Sequence, residues 1–319
     1  MADPPPAVAI TGSSGYIGSR LLQELESDET LQKSVAIDNR PLPMPYHNVA
    51  AKRLDVTQPL DDTFREQRVN TVVHLAYILK PGRNKRDVQR IRQTNLKAVR
   101  NVLKASKTNK VRNLIYLSSH TVYGANKDNP VPLTEEAPVR PSTKFQYSYD
   151  KSLCEQEVQQ FAKENTNVNV TVLRSCVVMG PGADNFVTRA FFKPLLLGVM
   201  GYNPPLQFLH EDDLAKLLHQ LIIEPCPGTF NVAGEGVIHY KRMAQLSRRK
   251  LIFLPAVMAY FAANMTWNLG IQEDSPAAGL DFVRYPLIVS TGKLKKETGF
   301  QFFYTSEDAL MSYLPDRIR

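Results

Sequence analysis

One run near the N-terminus constrains the fold of this chain more than any other feature: Ala7-Val-Ala-Ile-Thr-Gly-Ser-Ser-Gly-Tyr-Ile-Gly18. Its apolar start predicts a buried strand, and the residues from about Tyr16 to Leu25 predict a helix. Gly12 permits a tight exit from the strand, Gly15 leaves no Cβ between the backbone and a pyrophosphate, and Gly18 lets the helix pack closely on the sheet. Because a helix N-terminus presents free amides and a positive dipole end, the run favours a dinucleotide-binding turn over an ordinary glycine-rich turn.

An acid at the end of the second apolar run bears on the choice of cofactor. The run Ser34-Val-Ala-Ile-Asp38 ends 20 residues beyond Gly18, close to where a ribose-binding carboxylate belongs. Asp38 would accept hydrogen bonds from both adenosine ribose hydroxyls and repel a 2′-phosphate, so NAD is favoured over NADP. Arg40 leaves NADP open, because a guanidinium two residues further on could cover a phosphate.

Strand-like and helical runs alternate through the first half of the chain, which predicts a parallel, doubly wound α/β sheet of the Rossmann type. We expect strands at Val8 to Thr11, Ser34 to Asp38, Ala51 to Leu54, Thr71 to Ala76, Asn113 to Ser118 and Asn169 to Arg174, with further helices near Val88 to Ser106 and Tyr147 to Glu164. After about Cys176, proline-punctuated short segments predict a smaller, irregular C-terminal lobe. Residues 1–175 are therefore assigned to an NAD-binding domain. Residues 176–319 are assigned mainly to a substrate-binding lobe, with segments that return to the Rossmann core.

Composition and charge are those of an ordinary globular protein with one basic stretch. The 319 residues are 43% hydrophobic and carry a net charge of +8, and part of that charge lies in Lys80, Arg83, Lys85, Arg86, Arg90 and Arg92. Such a run is most simply a solvated face, with an anionic ligand as the alternative. Without interleaved aromatic residues it predicts no nucleic-acid partner.

The N-terminus and the cysteines bear on compartment and metal binding. A strand that begins near Ala7 leaves no room for a secretory signal. Three cysteines, Cys154, Cys176 and Cys226, lack metal-ligand spacing and are expected to be buried thiols. We therefore expect a cytoplasmic protein with no metal site.

The segment from Leu251 to Leu269 is apolar, but Pro255, Asn264 and Asn268 interrupt it. A membrane span needs about 20 predominantly apolar residues, so the segment is marginal as a span. We expect a helix that covers a hydrophobic pocket and no stable membrane insertion. Peripheral membrane contact is the alternative, through Arg248, Arg249 and Lys250.

A tyrosine and a lysine one helical turn apart suggest acid–base chemistry. Tyr147 and Lys151 lie at i and i+4 of a predicted helix, so the ammonium can stabilise the phenolate, and a positively charged nicotinamide ring would add to that effect. Lowering the phenol pKa by about 3 units requires roughly 4 kcal/mol. A surface pair on a helix is the simpler alternative. The strand that ends in Ser118 and Ser119 favours the catalytic interpretation, because it places hydroxyls at the sheet edge.

Motifs that occur in order along the chain carry a family resemblance. The main ones are Thr11-Gly-x-x-Gly-x-x-Gly18, Ser118-Ser-His-Thr-Val-Tyr-Gly124 and Tyr147-x-x-x-Lys151. Further segments are Leu54-Asp-Val56, His74-Leu-Ala76, Asn95, Gly180-Pro-Gly182, His210-Glu-Asp-Asp-Leu-Ala215 and Phe230-Asn-Val-Ala-Gly234. Together they resemble the extended short-chain dehydrogenase/reductase family, in its NAD-dependent epimerase/dehydratase branch.

The resemblance implies a role for each matching residue. Asp55 and Val56 would bracket the adenine, Leu75 and Ala76 would line the cofactor, and Asn95 would support the sheet edge near the nicotinamide. Ser119 falls at the catalytic hydroxyl position, with Thr121 as its nearest competitor, and His74 is expected to be structural. The glycine turn would hold the cofactor through Gly12, Gly15, Tyr16, Ile17 and Gly18. Two chains are expected to associate through the helices near residues 88–106 and 147–164.

Two departures from the sugar-nucleotide enzymes concern the substrate. Val177 lies where UDP-sugar epimerases typically carry an asparagine, and Leu206 aligns with their nucleotide-binding arginine. Each lost contact is a hydrogen bond of roughly 1.5 to 3 kcal/mol. The sequence therefore predicts a catalytic triad of Ser119, Tyr147 and Lys151 that moves hydride at a secondary alcohol or ketone carbon, on a small-molecule substrate that need not be a UDP-sugar. A UDP-sugar 4-epimerase with retained NAD and a non-catalytic NAD(P)-sensing or RNA-binding protein are the alternatives.

Overall fold

The computed structural model describes residues 5–26, 28–31, 33–183, 188–189, 193–272 and 275–314. The strands are β1 (Ala7–Thr11), β2 (Lys33–Asp38), β3 (Val49–Arg53), β4 (Thr71–His74), β5 (Asn113–Ser119), β6 (Asn169–Ser175), β7 (Val177–Met179), β8 (Leu195–Val199), β9 (Pro205–Leu206), β10 (Phe208–His210), β11 (Gly228–Val232), β12 (Ile238–His239) and β13 (Lys250–Leu254). The helices are α1 (Tyr16–Leu25), α2 (Asp61–Glu66), α3 (Lys85–Thr108), α4 (Gln146–Glu164), α5 (Glu211–Ile223), α6 (Tyr240–Leu246), α7 (Ala256–Asn268), α8 (Gly292–Thr298) and α9 (Ser306–Tyr313). Two 3₁₀ turns occur at His120–Tyr123 and Ala277–Val283.

A seven-stranded parallel sheet forms the centre, in the order β11-β6-β5-β4-β1-β2-β3. Alternate residues of β1 point to opposite faces, so Val8 and Ile10 pack in one cluster with α1 and α5 while Ala9 packs in the other with α2, α3 and α4. Helices on both faces explain why β1 is buried along its whole length. The predicted doubly wound α/β class is confirmed.

Strand order reverses between β1 and β4, because the chain builds β2 and β3 on one side of β1 and then crosses to the other. In open α/β sheets, such a switch point leaves a crevice outside the carboxyl ends of the strands. The register pairs Thr11 with His74, and His74 with Tyr116, so the ends of β1, β4 and β5 lie side by side. The topology therefore prepares a binding site at this edge.

The seventh strand was not expected from the sequence. The short run Gly228–Val232 pairs in parallel with β6 and places Val232 beside Ser175. The intervening helix, α5, packs on α1, far away in sequence. Five residues that follow a proline-rich loop carry too little periodicity to predict a strand, and only pairing with β6 makes them one.

The prediction of a single helix from Leu251 to Leu269 is wrong, because the segment divides at Pro255. The residues before Pro255 form β13, which pairs in parallel with β8, and those after it form α7. A proline has no amide proton for the ladder but suits the start of a helix. In the part of the chain that the structure describes, no helix has the length and apolar character needed to cross a membrane.

Two predictions about buried side chains meet different outcomes. Cys154 and Cys176 are buried as expected, but Cys226 is only half-buried; all three are free thiols. The apolar stripe of α3, exemplified by Val99 and Val102, packs inside the monomer. Core packing therefore accounts for the stripe, and the dimer stays a prediction.

Candidate active site

One cavity of about 1660 Å³ is lined by every residue that the sequence assigned to catalysis or cofactor binding. It lies along the carboxyl ends of the central strands and extends under β8, β13 and α7. The residues brought together are Gly12, Gly15, Tyr16, Ile17, Gly18, Asp38, Arg40, Asp55, Val56, Leu75, Ala76, Asn95, Ser119, Tyr147 and Lys151.

The three glycines of the turn serve different purposes. Gly12 has a φ of +74°, and a Cβ there would lie 2.6 Å from the backbone nitrogen of Ala76. A Cβ on Gly18 would overlap the carbonyl oxygen of Gly12 and the backbone of Ser13, so Gly18 packs on the turn itself rather than on the sheet. Gly15 is different, since its Cβ would meet only the Gly12 oxygen at 3.1 Å and an Arg40 nitrogen at 3.8 Å. Gly12 and Gly18 are therefore needed for the fold, and Gly15 borders the cavity.

Asp38 is held at the cavity wall by backbone donors. The amide of Ser14 donates to its Oδ2 at 3.0 Å, and the amide of Arg40 donates to its Oδ1 at 2.9 Å. The Arg40 guanidinium is largely exposed and approaches Oδ1 at 3.4 Å. The carboxylate thus has a defined orientation with acceptor capacity left for a ligand hydroxyl.

Asn95 of α3 fastens the loop that follows β4. Its Oδ1 accepts from the amide of Ile78 at 2.9 Å, and its side chain also hydrogen-bonds to Tyr77. Tyr77 lies edge-on to Tyr147, with ring centroids 5.8 Å apart. Sequence reasoning missed Tyr77, because nothing in the local pattern around it signals a contact with a helix 70 residues further on.

Ser119 and Tyr147 share a hydrogen bond between their hydroxyls at the cavity wall. Thr121 donates to Ser119 Oγ twice, from its amide at 3.2 Å and from its own hydroxyl at 2.9 Å. With these two bonds filling the acceptor sites of Ser119, its proton is available to a ligand oxygen or to Tyr147. Thr121, considered as a competitor of Ser119, instead orients it.

Lys151 is buried one helical turn beyond Tyr147. Its Nζ donates to the carbonyl oxygen of Leu117 at 2.8 Å and lies 4.1 Å from the ring centroid of Tyr77 and 5.2 Å from that of Tyr116. Burial lowers the pKa of Lys151 to about 8, so the side chain is still mainly protonated at neutral pH. The two aromatic faces stabilise this buried ammonium.

The phenol itself is not yet activated. Burial raises the pKa of Tyr147 above its usual value, and the hydrogen bond with Ser119 only partly offsets this. The sequence argument invoked two cations, of which Lys151 is one. A phenolate at neutral pH therefore requires a further positive charge in the cavity.

Buried polar contacts keep α4, and with it Tyr147, in place. Glu155 accepts from Ser118 Oγ at 2.5 Å and from Arg174 at 2.6 Å, and Asp150 accepts from Arg92 at 2.6 Å. Ser148 also donates to the carbonyl oxygen of Thr121. These contacts tie α4 to β5, β6 and α3, so the side chains that face the cavity have little freedom.

His74, which the sequence assigned a structural role, is buried at the end of β4. Burial, together with the nearby Lys151 ammonium, lowers the pKa of His74 to about 3, so its imidazole is neutral at physiological pH. Its Nδ1 lies 2.6 Å from the hydroxyl of Thr11 in the neighbouring strand. Among the described residues, no group of three or more histidine, cysteine or acidic side chains could hold a metal ion.

The far end of the cavity is apolar. Val177 and Leu206, the two departures noted in the sequence, both line it, and so do Leu197, Ile252, Leu280 and Phe282. Lys193 lines the same cavity, whereas the basic stretch at residues 80–92 does not. Sequence reasoning singled out Val177 and Leu206 and expected the segment from Leu251 to cover a pocket. It missed Leu197, Leu280 and Phe282, because the members of this wall come from five separate segments.

Comparisons with known proteins agree with the sheet and the motifs. The model of the NAD dependent epimerase/dehydratase family matches residues 8–233. The uncharacterized protein Rv0501 of Mycobacterium tuberculosis is 23% identical over 319 residues, covering 98% of this chain and 84% of that protein. Short-chain dehydrogenase/reductase family 42E member 1 of Xenopus laevis is 28% identical over 222 residues, covering 65% of this chain and 56% of that protein.

A similar solved structure is that of UDP-glucose 4-epimerase from Bifidobacterium longum, in complex with NAD+ and UDP. Its TM-score is 0.73 at 19% identity, with 96% of each chain covered. At this identity the likeness establishes the shared fold. The predicted family resemblance is confirmed by the family model.

Proposed function

The chain belongs to the NAD dependent epimerase/dehydratase family, and from that premise we propose that it is an NAD-dependent oxidoreductase acting at a secondary alcohol or ketone carbon. The observation that carries the proposal is the hydrogen bond between Ser119 and Tyr147 at the wall of a cavity, with Lys151 buried one turn further along the same helix. A positioned hydroxyl, a phenol and a fixed ammonium are the groups that proton transfer at an alcohol oxygen requires.

The residues that would hold NAD fit it. Gly15 leaves the helix N-terminus open to a pyrophosphate, and Asp38 keeps acceptor capacity for ribose hydroxyls. Asp55 and Val56 would flank the adenine, while Leu75, Ala76 and Lys151 would face the nicotinamide half. When bound, NAD would accept the hydride from the substrate carbon and bring the positive charge that Tyr147 lacks.

The protein side of the reaction is proton transfer at the substrate oxygen. Ser119, whose acceptor sites are occupied by Thr121, donates a hydrogen bond to that oxygen. The phenolate of Tyr147 takes the proton from the substrate hydroxyl as the carbon–oxygen bond becomes a carbonyl, and returns it in the reverse direction. Lys151 stabilises the phenolate while its own position is fixed by Leu117.

We also propose that the substrate is largely apolar. Val177 and Leu206 line the cavity together with Leu197 and Phe282, so a diphosphate lying against these four side chains would lose hydration and gain no donors from them. An apolar substrate would gain about 25 cal/mol for each Å² buried. If the oxidised product leaves the site, the enzyme is a dehydrogenase. If it instead rotates within the site and takes hydride back on its other face, the enzyme is an epimerase.

A first prediction concerns the choice of cofactor. NAD is expected to bind at least about tenfold more tightly than NADP, because a 2′-phosphate would meet the fixed carboxylate of Asp38. Asp38→Asn keeps the shape and removes the charge, and should narrow the difference. Calorimetric titration with both dinucleotides checks this. Tighter binding of NADP to the unaltered protein would reverse the assignment and identify Arg40 as the selector.

A second prediction tests the substrate class. In thermal-shift measurements on the NAD complex, bulky apolar secondary alcohols are expected to raise the melting temperature. The enzyme should also oxidise the same alcohols, with reduction of NAD followed by absorbance. UDP and UDP-glucose serve as the comparison. Clear stabilisation by UDP, with none by the alcohols, would refute the apolar substrate.

The alternative, a UDP-sugar 4-epimerase, has one observation in its favour. Lys193 lines the cavity and could meet a phosphate that Leu206 cannot bind. The domain boundary near residue 175 and association of two chains through α3 and α4 also remain proposals.

A further inference from the structure

The outer face of α7 is an unusually apolar surface. Val257 is 83% exposed and Phe261 68%, and the spacing of these and the other exposed apolar residues places them on one side of the helix and its end. The others are Met258, Met265 and Leu269. From Leu251 to Gln272 the sequence contains no charged residue. A helix that is apolar on all sides is normally buried against protein or lipid, so the exposed face of α7 indicates an interaction site.

Positive charge adjoins the C-terminal end of α7. The guanidinium of Arg83 lies 5.6 Å from the ring centroid of Trp267, on the last turn of the helix, and close to Gly270. Arg83 belongs to an exposed basic stretch that also contains Lys80, Lys85, Arg86 and Arg90. Asp87 is the acid within that stretch. The apolar face and the cations therefore lie next to each other.

We propose that α7 and this basic stretch dock the protein on a lipid bilayer that contains anionic headgroups. Apolar side chains would enter the interface, and each nearby Lys or Arg would add attraction to anionic lipid. A second copy fits less well, because a two-fold contact through α7 would bring both basic stretches to one interface. Glu273 and Asp274 follow in the sequence, so we expect the apolar face to contribute more than the charge.

The docking face is continuous with the site. Ala262, Ala263 and Thr266, on the inner side of α7, line the cavity, so one helix separates the bilayer from the substrate space. A lipophilic alcohol that partitions into the membrane would then be concentrated beside the cavity. This last step rests on the proposed function, whereas docking does not.

Flotation of the full chain with lipid vesicles tests the proposal without any turnover. Binding is expected to vesicles of phosphatidylcholine with phosphatidylserine, and to be weaker with phosphatidylcholine alone. Phe261→Asp should reduce partitioning by at least about tenfold. Phe303→Asp is the matched control, because Phe303 is also 68% exposed but packs against Lys216 of α5, and this variant should float like the unaltered protein.

A charge variant separates the two contributions. Replacing Lys85 and Arg86 by glutamate should weaken binding to the anionic vesicles and leave binding to phosphatidylcholine unchanged. Absence of flotation by the unaltered protein, or equal flotation of Phe261→Asp and Phe303→Asp, would overturn the proposal. So would a lipid-free dimer in light scattering that Phe261→Asp converts to a monomer. Calorimetric NAD binding, measured on the same samples, reports on the proposed function independently.

Discussion

Replacement of Tyr147 by phenylalanine is expected to lower turnover by at least about 100-fold, the usual scale for losing a positioned acid or base. The change removes one hydroxyl, which hydrogen-bonds to Ser119 and otherwise faces the cavity. The aromatic contact with Tyr77 does not depend on that hydroxyl, so the fold and NAD affinity should be preserved. Steady-state kinetics with an alcohol that the enzyme oxidises measures turnover, and calorimetry measures NAD affinity.

The chain offers a matched control for this experiment. Tyr149 lies two residues further along α4, with its ring 4.9 Å from the guanidinium carbon of Arg92 and not on the cavity wall. Tyr149→Phe should therefore leave turnover unchanged. If Tyr147→Phe retained full activity, Tyr147 would have no part in the mechanism. If both variants lost activity equally, the loss would reflect damage to α4.

Alanine at Gly18 and alanine at Gly15 are expected to have opposite consequences. A Cβ at Gly18 would overlap the Gly12 carbonyl, so Gly18→Ala should lose about 1 to 3 kcal/mol of unfolding free energy, even though alanine favours a helix. Gly15 has an extended backbone that alanine can adopt, and its Cβ meets only a 3.1 Å contact within the protein. Gly15→Ala should therefore fold normally, but weaken NAD binding by about 10- to 100-fold, because its methyl group would hold the pyrophosphate away from the amides.

Urea unfolding and calorimetric titration of the two variants, side by side, check this pair. A stable Gly18→Ala protein would show that the turn can relax, and the assignment of Gly18 to fold rather than ligand would be wrong. Unchanged NAD affinity in Gly15→Ala would remove the glycine turn from the cofactor site.

Much of the central sheet could be predicted because its signals are local. The buried runs that became β1, β2 and β5 were predicted to within a residue at each end, and α1 agreed at both ends. Strand β4 ends at His74, two residues before the predicted end, because Leu75 and Ala76 turn away to line the cavity. Where a strand ends depends on its pairing with the neighbouring strand, and the periodicity of a single segment carries no information about that neighbour.

Local spacing along the chain was enough to identify the glycine turn, Asp38, and the Tyr147 and Lys151 pair, because their geometry depends on one strand, one turn or one helix. The tertiary structure alone decided that Thr121 occupies the acceptor sites of Ser119 and that Lys151 lies between the rings of Tyr77 and Tyr116. The sequence predicted that this segment would cover a hydrophobic pocket, but only the tertiary structure decided which face of α7 lines the cavity and which face is exposed. The physical reason is that these features join side chains from segments distant in sequence, whose meeting is set by sheet order and helix packing and leaves no periodic pattern in any one segment.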